Sequence, residues 1–194
     1  MSGAILPFVE GQSEEEAIRV LLRRLLDRLG RHEVQIARPF RVKRYQVVRP
    51  RELERALVQG LRDRGNVSAV LVLLDADDDD PDALESDLRD RCRQVTDLPS
   101  AVVAAQRELE AWFLGCKDAF RGFRGIRADA NAPPDPEAIR GAKERLTRNM
   151  EGGRRYVEVD DQPAFAARMD LDLALQRCAS FRRLELALRG FPGL

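Results

Sequence analysis

The stretch that most constrains this chain is Ser68–Asp80, which reads SAVLVLLDADDDD. Residues Ala69–Leu74 are apolar without a break, and the run stops at a cluster of acids around one alanine. A short, uninterrupted, β-rich apolar run bounded by a turn signal suits a strand buried on both faces, as in a parallel sheet covered by helices. Asp75 and Asp77 fall where that strand ends, in D-x-D spacing. Carboxylates this dense repel one another unless water or a positive charge lies between them. The carboxyl ends of parallel strands are also where open α/β sheets put their ligands. Two readings stay open: a divalent-metal site, or a solvated acidic loop leading into a helix whose first turn carries Asp82 and Glu85.

The flanking sequence supplies the helices such a sheet needs. Ala4–Val9 (AILPFV) reads as the first strand, although Pro7 removes a ladder donor and so argues against a central position. After Glu10-Gly11, Ser13 and Glu16 have capping-box spacing, and Ile18, Leu21, Leu22, Leu25, Leu26 and Leu29 recur at helical spacing up to Gly30. Glu14 then lies one turn into the helix on the same side as Glu10. Val34–Val48 alternates weakly and mixes Arg38, Arg41, Lys43, Arg44 and Arg49 with Phe40 and Tyr45. That pattern fits an edge strand guarded by charge, or a groove that holds phosphate.

Pro50 opens a helix to about Arg64, and Pro81 sits in the first turn of another that runs to about Val95. Ala101–Ala105 reads as a further buried strand. Arg107–Gly115 (RELEAWFLG) is expected to be helical, with Leu109, Trp112 and Phe113 on its apolar face and Trp112 as a core anchor. Glu108 and Glu110 do not share a helix face, so at most one of them points into a site at the strand end. Ile126–Pro136 reads as a linker or loop. Beyond it come a helix near Glu137–Asn149, a short Tyr156–Val159 segment, and two or three helices within Gln162–Leu188. The alternation predicts an α/β fold with a largely parallel sheet of about four strands flanked by helices, and a helical C-terminal portion. Residues 1–125 would form the core with its acidic site, and residues 126–194 a linker and helical extension packed on it.

Composition excludes several function classes. Acidic and basic residues balance at 33 each, which argues against a general nucleic-acid coat but leaves room for a local basic face. Lysine occurs only at 43, 117 and 143; every other basic residue is arginine. Three scattered cysteines without C-x-x-C spacing suit a reducing compartment and no disulfide frame. No apolar run approaches a membrane span, and no basic segment precedes the first apolar residues as in a signal peptide. A soluble, cytoplasmic protein is expected. With His32 as the only histidine, no Ser-His or Cys-His dyad is available, and neither a P-loop nor a dinucleotide fingerprint is present.

What remains are acids at three strand ends: Glu10, then Asp75 and Asp77, then Glu108 and Glu110. Carboxylates converging on one sheet edge make an all-oxygen site of the type that Mg2+ or Mn2+ prefers. Such a site can clamp a phosphodiester and activate a nucleophile for in-line attack.

The segment FVEGQSEE (Phe8–Glu15), followed by LLDAD (Leu73–Asp77), resembles the Toprim signature. RELEAWFLG and CASFRRLELAL (Cys178–Leu188) resemble the small bacterial proteins of the DUF4276 group. The resemblance implies a Toprim-like core like that of topoisomerases, primases and OLD-family nucleases. It implies acid/base or metal work for Glu10, Mg2+ ligation for Asp75 and Asp77, and a catalytic acid at Glu14; Glu110 and Glu108 belong to the smaller family's own motif, with Glu110 a further catalytic candidate. Without a tyrosine-nucleophile domain or primase modules, phosphodiester hydrolysis on nucleic acid is the activity left. Arg44 and Arg107 are candidate phosphate contacts, and Arg38–Arg49 and Arg121–Arg127 are candidate basic surfaces. An ABC/AAA-type ATPase partner in phage defence is also implied. The alternatives are a metal- or phosphate-binding regulatory subunit without catalysis and, last, a small-molecule phosphohydrolase.

Overall fold

The apolar run Ala69–Leu74 is the middle of the central sheet in the computed structural model, which describes residues 3–192. It belongs to β4 (Val67–Asp75), which pairs in parallel with β1 (Ala4–Val9) on one side and β5 (Ser100–Ala105) on the other. Two short parallel pieces, β2 (Gln35–Ile36) and β3 (Phe40–Arg41), flank the other side of β1. The order is β2-β1-β4-β5, with β3 also on β1. The fold is thus α/β with a parallel sheet flanked by helices, the C-terminal ones included.

The strand period of two sorts side chains into two cores. Ala69, Leu71 and Leu73 share one face with Ile5, Val9, Val103 and Ala105. That face packs on α1 (Gln12–Arg28), α5 (Glu110–Gly115) and the C-terminal helices α6 (Ala142–Arg148), α7 (Glu158–Arg168), α8 (Leu171–Arg177) and α9 (Ala179–Gly190). Val70, Val72 and Leu74 share the other face with Leu6, Phe8, Val102 and Ala104. That face packs on α2 (Arg44–Val47), α3 (Glu52–Asp63) and α4 (Pro81–Arg93). Each buried leucine of β4 is worth about 2 kcal/mol, so neither face has room for a charge until the strand ends at Asp75. Trp112 is fully buried, and its Nε1 donates to Ser180 Oγ of α9 at 2.7 Å. It anchors the C-terminal helices to the sheet, as expected of a core residue.

The outer edge of β5 is closed by side chains rather than by another strand. Ala104 N–H donates to Glu85 Oε1 of α4 at 2.9 Å, and Arg183 Nη2 of α9 donates to Ala104 O at 3.1 Å. The edge is thereby blunted against pairing with another chain. Glu85 serves this purpose, while Asp80, as N-cap of α4, accepts from Ala83 N–H at 2.9 Å.

Several expectations are corrected. Pro7 sits in a central strand after all. Gly3, Ile5 and Val9 carbonyls accept from Gln35, Ala37 and Val42 N–H, so by strand parity Pro7 nitrogen faces the same side. There it meets the gap between Ile36 and Phe40, where no ladder donor is required. The capping box of Ser13 and Glu16 does not form, because the N-cap is Gly11 with no side-chain cap. Val34–Val48 is two strand fragments and a short helix rather than one edge strand. The helix expected near 137–149 begins only at Ala142, after Gly141 at φ 66°. Val157 instead precedes a helix that extends to Arg168. Ile126 and Ala130 of the expected loop are buried, and Ile126 bridges to Met150. Among the described residues no helix is long and apolar enough to cross a membrane.

Candidate functional site

The parallel topology brings the ends of β1, β4 and β5 to one edge, and with them their acids. Glu10 follows β1 directly, and its Oε1 accepts from Asp75 N–H at 2.7 Å. Asp75 closes β4, and its Oδ1 accepts from Leu109 N–H at 2.8 Å, which fixes the exit of β5. Each carboxylate thus points along a defined direction because one oxygen is held by the neighbouring strand's backbone. Glu14, in the first turn of α1, reaches back so that its Oε2 accepts from Glu10 N–H at 3.0 Å. Glu110, the first residue of α5, is 1% exposed. Its Oε1 accepts from Tyr156 Oη at 3.1 Å and Gln162 Nε2 at 3.2 Å.

These four acids titrate upward together. Burial raises Glu10 to about 7, with Glu14 and Asp77 adding repulsion and the Asp75 N–H and Arg44 opposing it. Glu14 is raised by burial, against the Glu10 and Gly11 N–H groups and Lys143. Asp75 is raised well above its ordinary value by burial and then by Glu110, Glu14 and Glu10. Glu110 is raised to about 7 by burial, with Lys143 pulling the other way. A cluster in which each acid disfavours ionisation of the next is short of positive charge.

As Arg44 does for Glu10, Lys143 supplies a positive charge to Glu110 and Asp75. Burial disfavours its charge, but Glu110, Glu158 and Asp75 overcome that and hold its pKa above the ordinary value. Its Nζ lies 2.9 Å from Glu158 Oε1. Lys143 is set in place by Glu108, whose Oε1 accepts from Gly141 N–H at 3.0 Å and Ala142 N–H at 3.2 Å at the start of α6. Glu108 therefore shapes the site from outside while Glu110 lies within it.

The other sequence candidates lie at the rim. Asp77, at φ 52°, is exposed and turns its Oδ2 to within 3.8 Å of Arg44 Nε. Arg44 also donates to Asp75 O at 2.8 Å and pairs with Asp79, so it braces the acidic turn. Arg107 follows β5 at φ 62°, and its Nη1 donates to Asp78 Oδ1 at 3.0 Å. Arg121, Arg124 and Arg127 are engaged with Asn131, Asp161 and Asp129, so that stretch is internal bracing and not a free basic surface. His32 is exposed beside Asp27.

The donor set is all oxygen and rich in carboxylate, which fits Mg2+ or Mn2+ chemically. Among the described residues, however, no group of three or more His, Cys, Asp or Glu side chains is arranged to hold a metal ion as it stands. Sequence reading missed Lys143, Tyr156, Gln162 and Glu158, all beyond residue 125. The signal for two of them was rarity: Lys143 is one of three lysines in an arginine-rich chain, and Tyr156 one of two tyrosines.

Fold and site together define a class: a parallel-sheet α/β protein with a buried acidic centre at the carboxyl edge of its strands. Within that class the chain belongs to the family described as "Domain of unknown function (DUF4276)", whose model matches residues 9–189. No curated protein and no solved structure matches it.

Proposed function

We propose that this protein is a metal-dependent phosphodiester hydrolase with a Toprim-like centre, acting on nucleic acid and working with an ATPase partner in phage defence. The observation that carries the reading is the convergence of Glu10, Glu14, Asp75 and Glu110 in one desolvated cluster with Lys143 as counter-charge. Burying like charges costs several kcal/mol. A fold that needed only stability would place such acids in solvent.

In this reading Glu10 and Asp75 hold Mg2+ or Mn2+ with Asp77 at the rim. Binding requires the carboxylates to shift from their ion-free positions. The bound ion would supply charge neutralisation and activation of the attacking water. Glu110, with a pKa of about 7, is suited to exchange a proton near neutral pH at Oε2, since Tyr156 and Gln162 both donate to Oε1. Glu14 keeps Glu10 aimed through the Glu10 backbone N–H, and Arg44 braces the acidic turn for the substrate's phosphate.

The test is thermal unfolding of wild type and Asp75→Asn with and without millimolar Mg2+ or Mn2+, followed by cleavage assays on single- and double-stranded DNA and RNA. Wild type should be stabilised by the ion and the variant should not. Equal melting of wild type in all conditions would refute the metal centre. Ion binding without cleavage, alone or with the ATPase partner, would turn the reading to a non-catalytic, metal-sensing subunit.

A further inference from the structure

Beside the acid cluster lies a cavity of about 140 Å³ lined by Asp77, Asp78, Arg107, Glu108 and Arg140. Two arginines from distant parts of the chain meet in it: Arg107 after β5 and Arg140 before α6. Both guanidinium groups sit on one carboxylate, with Arg107 Nη1 at 3.0 Å and Arg140 Nη1 at 2.7 Å from Asp78 Oδ1. Arg107 Nε is buried and has no hydrogen-bond partner. A buried guanidinium N–H left without an acceptor is costly, and such groups are rare in folded proteins.

Arg107 is also held in place rather than free to drift. Its backbone is left-handed at φ 62°, where arginine is uncommon, and its carbonyl accepts from Asp77 N–H at 3.0 Å. The turn thus fixes the Arg107 backbone beside the acidic loop, and the bond from Nη1 to Asp78 Oδ1 sets the guanidinium against it. The remaining acids of the cavity are already answered, Glu108 by the N–H groups that open α6 and Asp77 by Arg44. Asp78, by contrast, is 69% exposed, as is Arg140, so their pairing is weak and easily exchanged.

We propose that this cavity is a phosphate subsite in which Asp78 stands in for a phosphoryl group of the substrate. Its occupant is the backbone phosphate next to the one that is cut, held in the forks of Arg107 and Arg140. Guanidinium suits this task because its N–H groups match the spacing of phosphate oxygens. The identification of the occupant rests on the hydrolase reading above. The anion site itself does not, because the arginines, the orphan N–H and the competing carboxylate are present without any metal.

Arg107 also lines a second cleft, but there Arg177 and Arg182 stand beside Asp135 and Glu137. Arg177 is paired with Asp118, and Arg182 donates to the Leu175 and Gln176 carbonyls, so the choice of a strand over a small phosphate ester rests on the hydrolase reading alone.

The test uses the full chain in metal-free buffer with EDTA. A short oligothymidylate and, separately, inorganic phosphate are titrated into wild type, Asp78→Asn and Arg140→Gln. Both substitutions are at exposed side chains and leave the core alone. Arg140→Gln should weaken oligonucleotide binding about fivefold, and Asp78→Asn should strengthen it about fivefold, the scale of one exposed ion pair. Inorganic phosphate should follow the same rank at lower affinity. If neither variant shifts either titration, the subsite is refuted. If phosphate follows the rank and the oligonucleotide does not, the occupant is a free anion and the backbone assignment is overturned. Failure of the metal centre shows separately, as absent stabilisation by Mg2+ or Mn2+ in wild type.

Discussion

Replacing Glu110 by glutamine should stabilise the ion-free protein at alkaline pH. Burial moves its carboxyl from 4.5 to about 7. A tenfold change in an acid's dissociation constant is worth about 1.4 kcal/mol, so ionised Glu110 costs the fold about 3 kcal/mol. Because the folded pKa lies above the unfolded one, this cost is full above about pH 7. It fades as pH falls through that value, and it is gone below about 4.5. Tyr156 Oη and Gln162 Nε2 both donate to Oε1, so a glutamine oxygen in the same place keeps both bonds. The attraction to Lys143 is already contained in that pKa, so the remaining loss is the burial of a new amide N–H pair, about 1–2 kcal/mol. The net gain should be about 1–2 kcal/mol at pH 8, a rise of about 3–6 °C in Tm for a chain of this size. At pH 5 the gain should shrink to near zero. Urea denaturation of wild type and Glu110→Gln at both values, with EDTA present, measures it. A variant less stable than wild type at pH 8, or a difference that does not change with pH, would refute the argument that Glu110 is an ionised, uncompensated acid in the folded state.

Two further outcomes follow from the packing around the same edge. Lys143→Met should lower ion-free stability at pH 8 by about 1–3 kcal/mol, since three acids lose their shared counter-charge. It should also enlarge the stabilisation by Mg2+, both read as Tm with and without the ion. Gly60→Ala should destabilise by about 1 kcal/mol despite alanine's better helix propensity, because the new Cβ would lie 2.7 Å from Phe8 Cζ in the core between α3 and β1. Urea denaturation would show that loss, and the response to metal should be unchanged.

What could be read from the sequence is what local chemistry decides alone. The run Ala69–Leu74 has no polar face, so a doubly covered strand was the arrangement that could bury it, and its neighbours AILPFV and AVVAA followed for the same reason. Acids placed directly after such strands must then share an edge, whatever the loops do. Pro7 shows where this reasoning stops. Its missing donor is harmless because the β2–β3 side of the ladder is interrupted beside it, a fact about the partner and not about the strand. Ser13 and Glu16 show the same limit, since Glu14 satisfies the Glu10 backbone N–H and the helix begins without their box.

The residues that complete the site were hidden for a different reason. Lys143, Tyr156 and Gln162 lie far along the chain, on or before helices whose tertiary placement periodicity does not give. Their position depends on Glu108 binding the start of α6 and on α7 packing along α1, where Arg24 donates to the Ala166 and Met169 carbonyls. The motif RELEAWFLG thus does two jobs that its helical reading concealed. Glu110 supplies an acid and Glu108 holds the start of α6, which carries Lys143, while Trp112 packs on α9. An acidic edge left uncovered would be solvated, and its carboxyls would titrate at ordinary values. Burial beneath the C-terminal helices, to which Glu108 contributes by holding the start of α6, is what raises the pKa of Glu10 and Glu110.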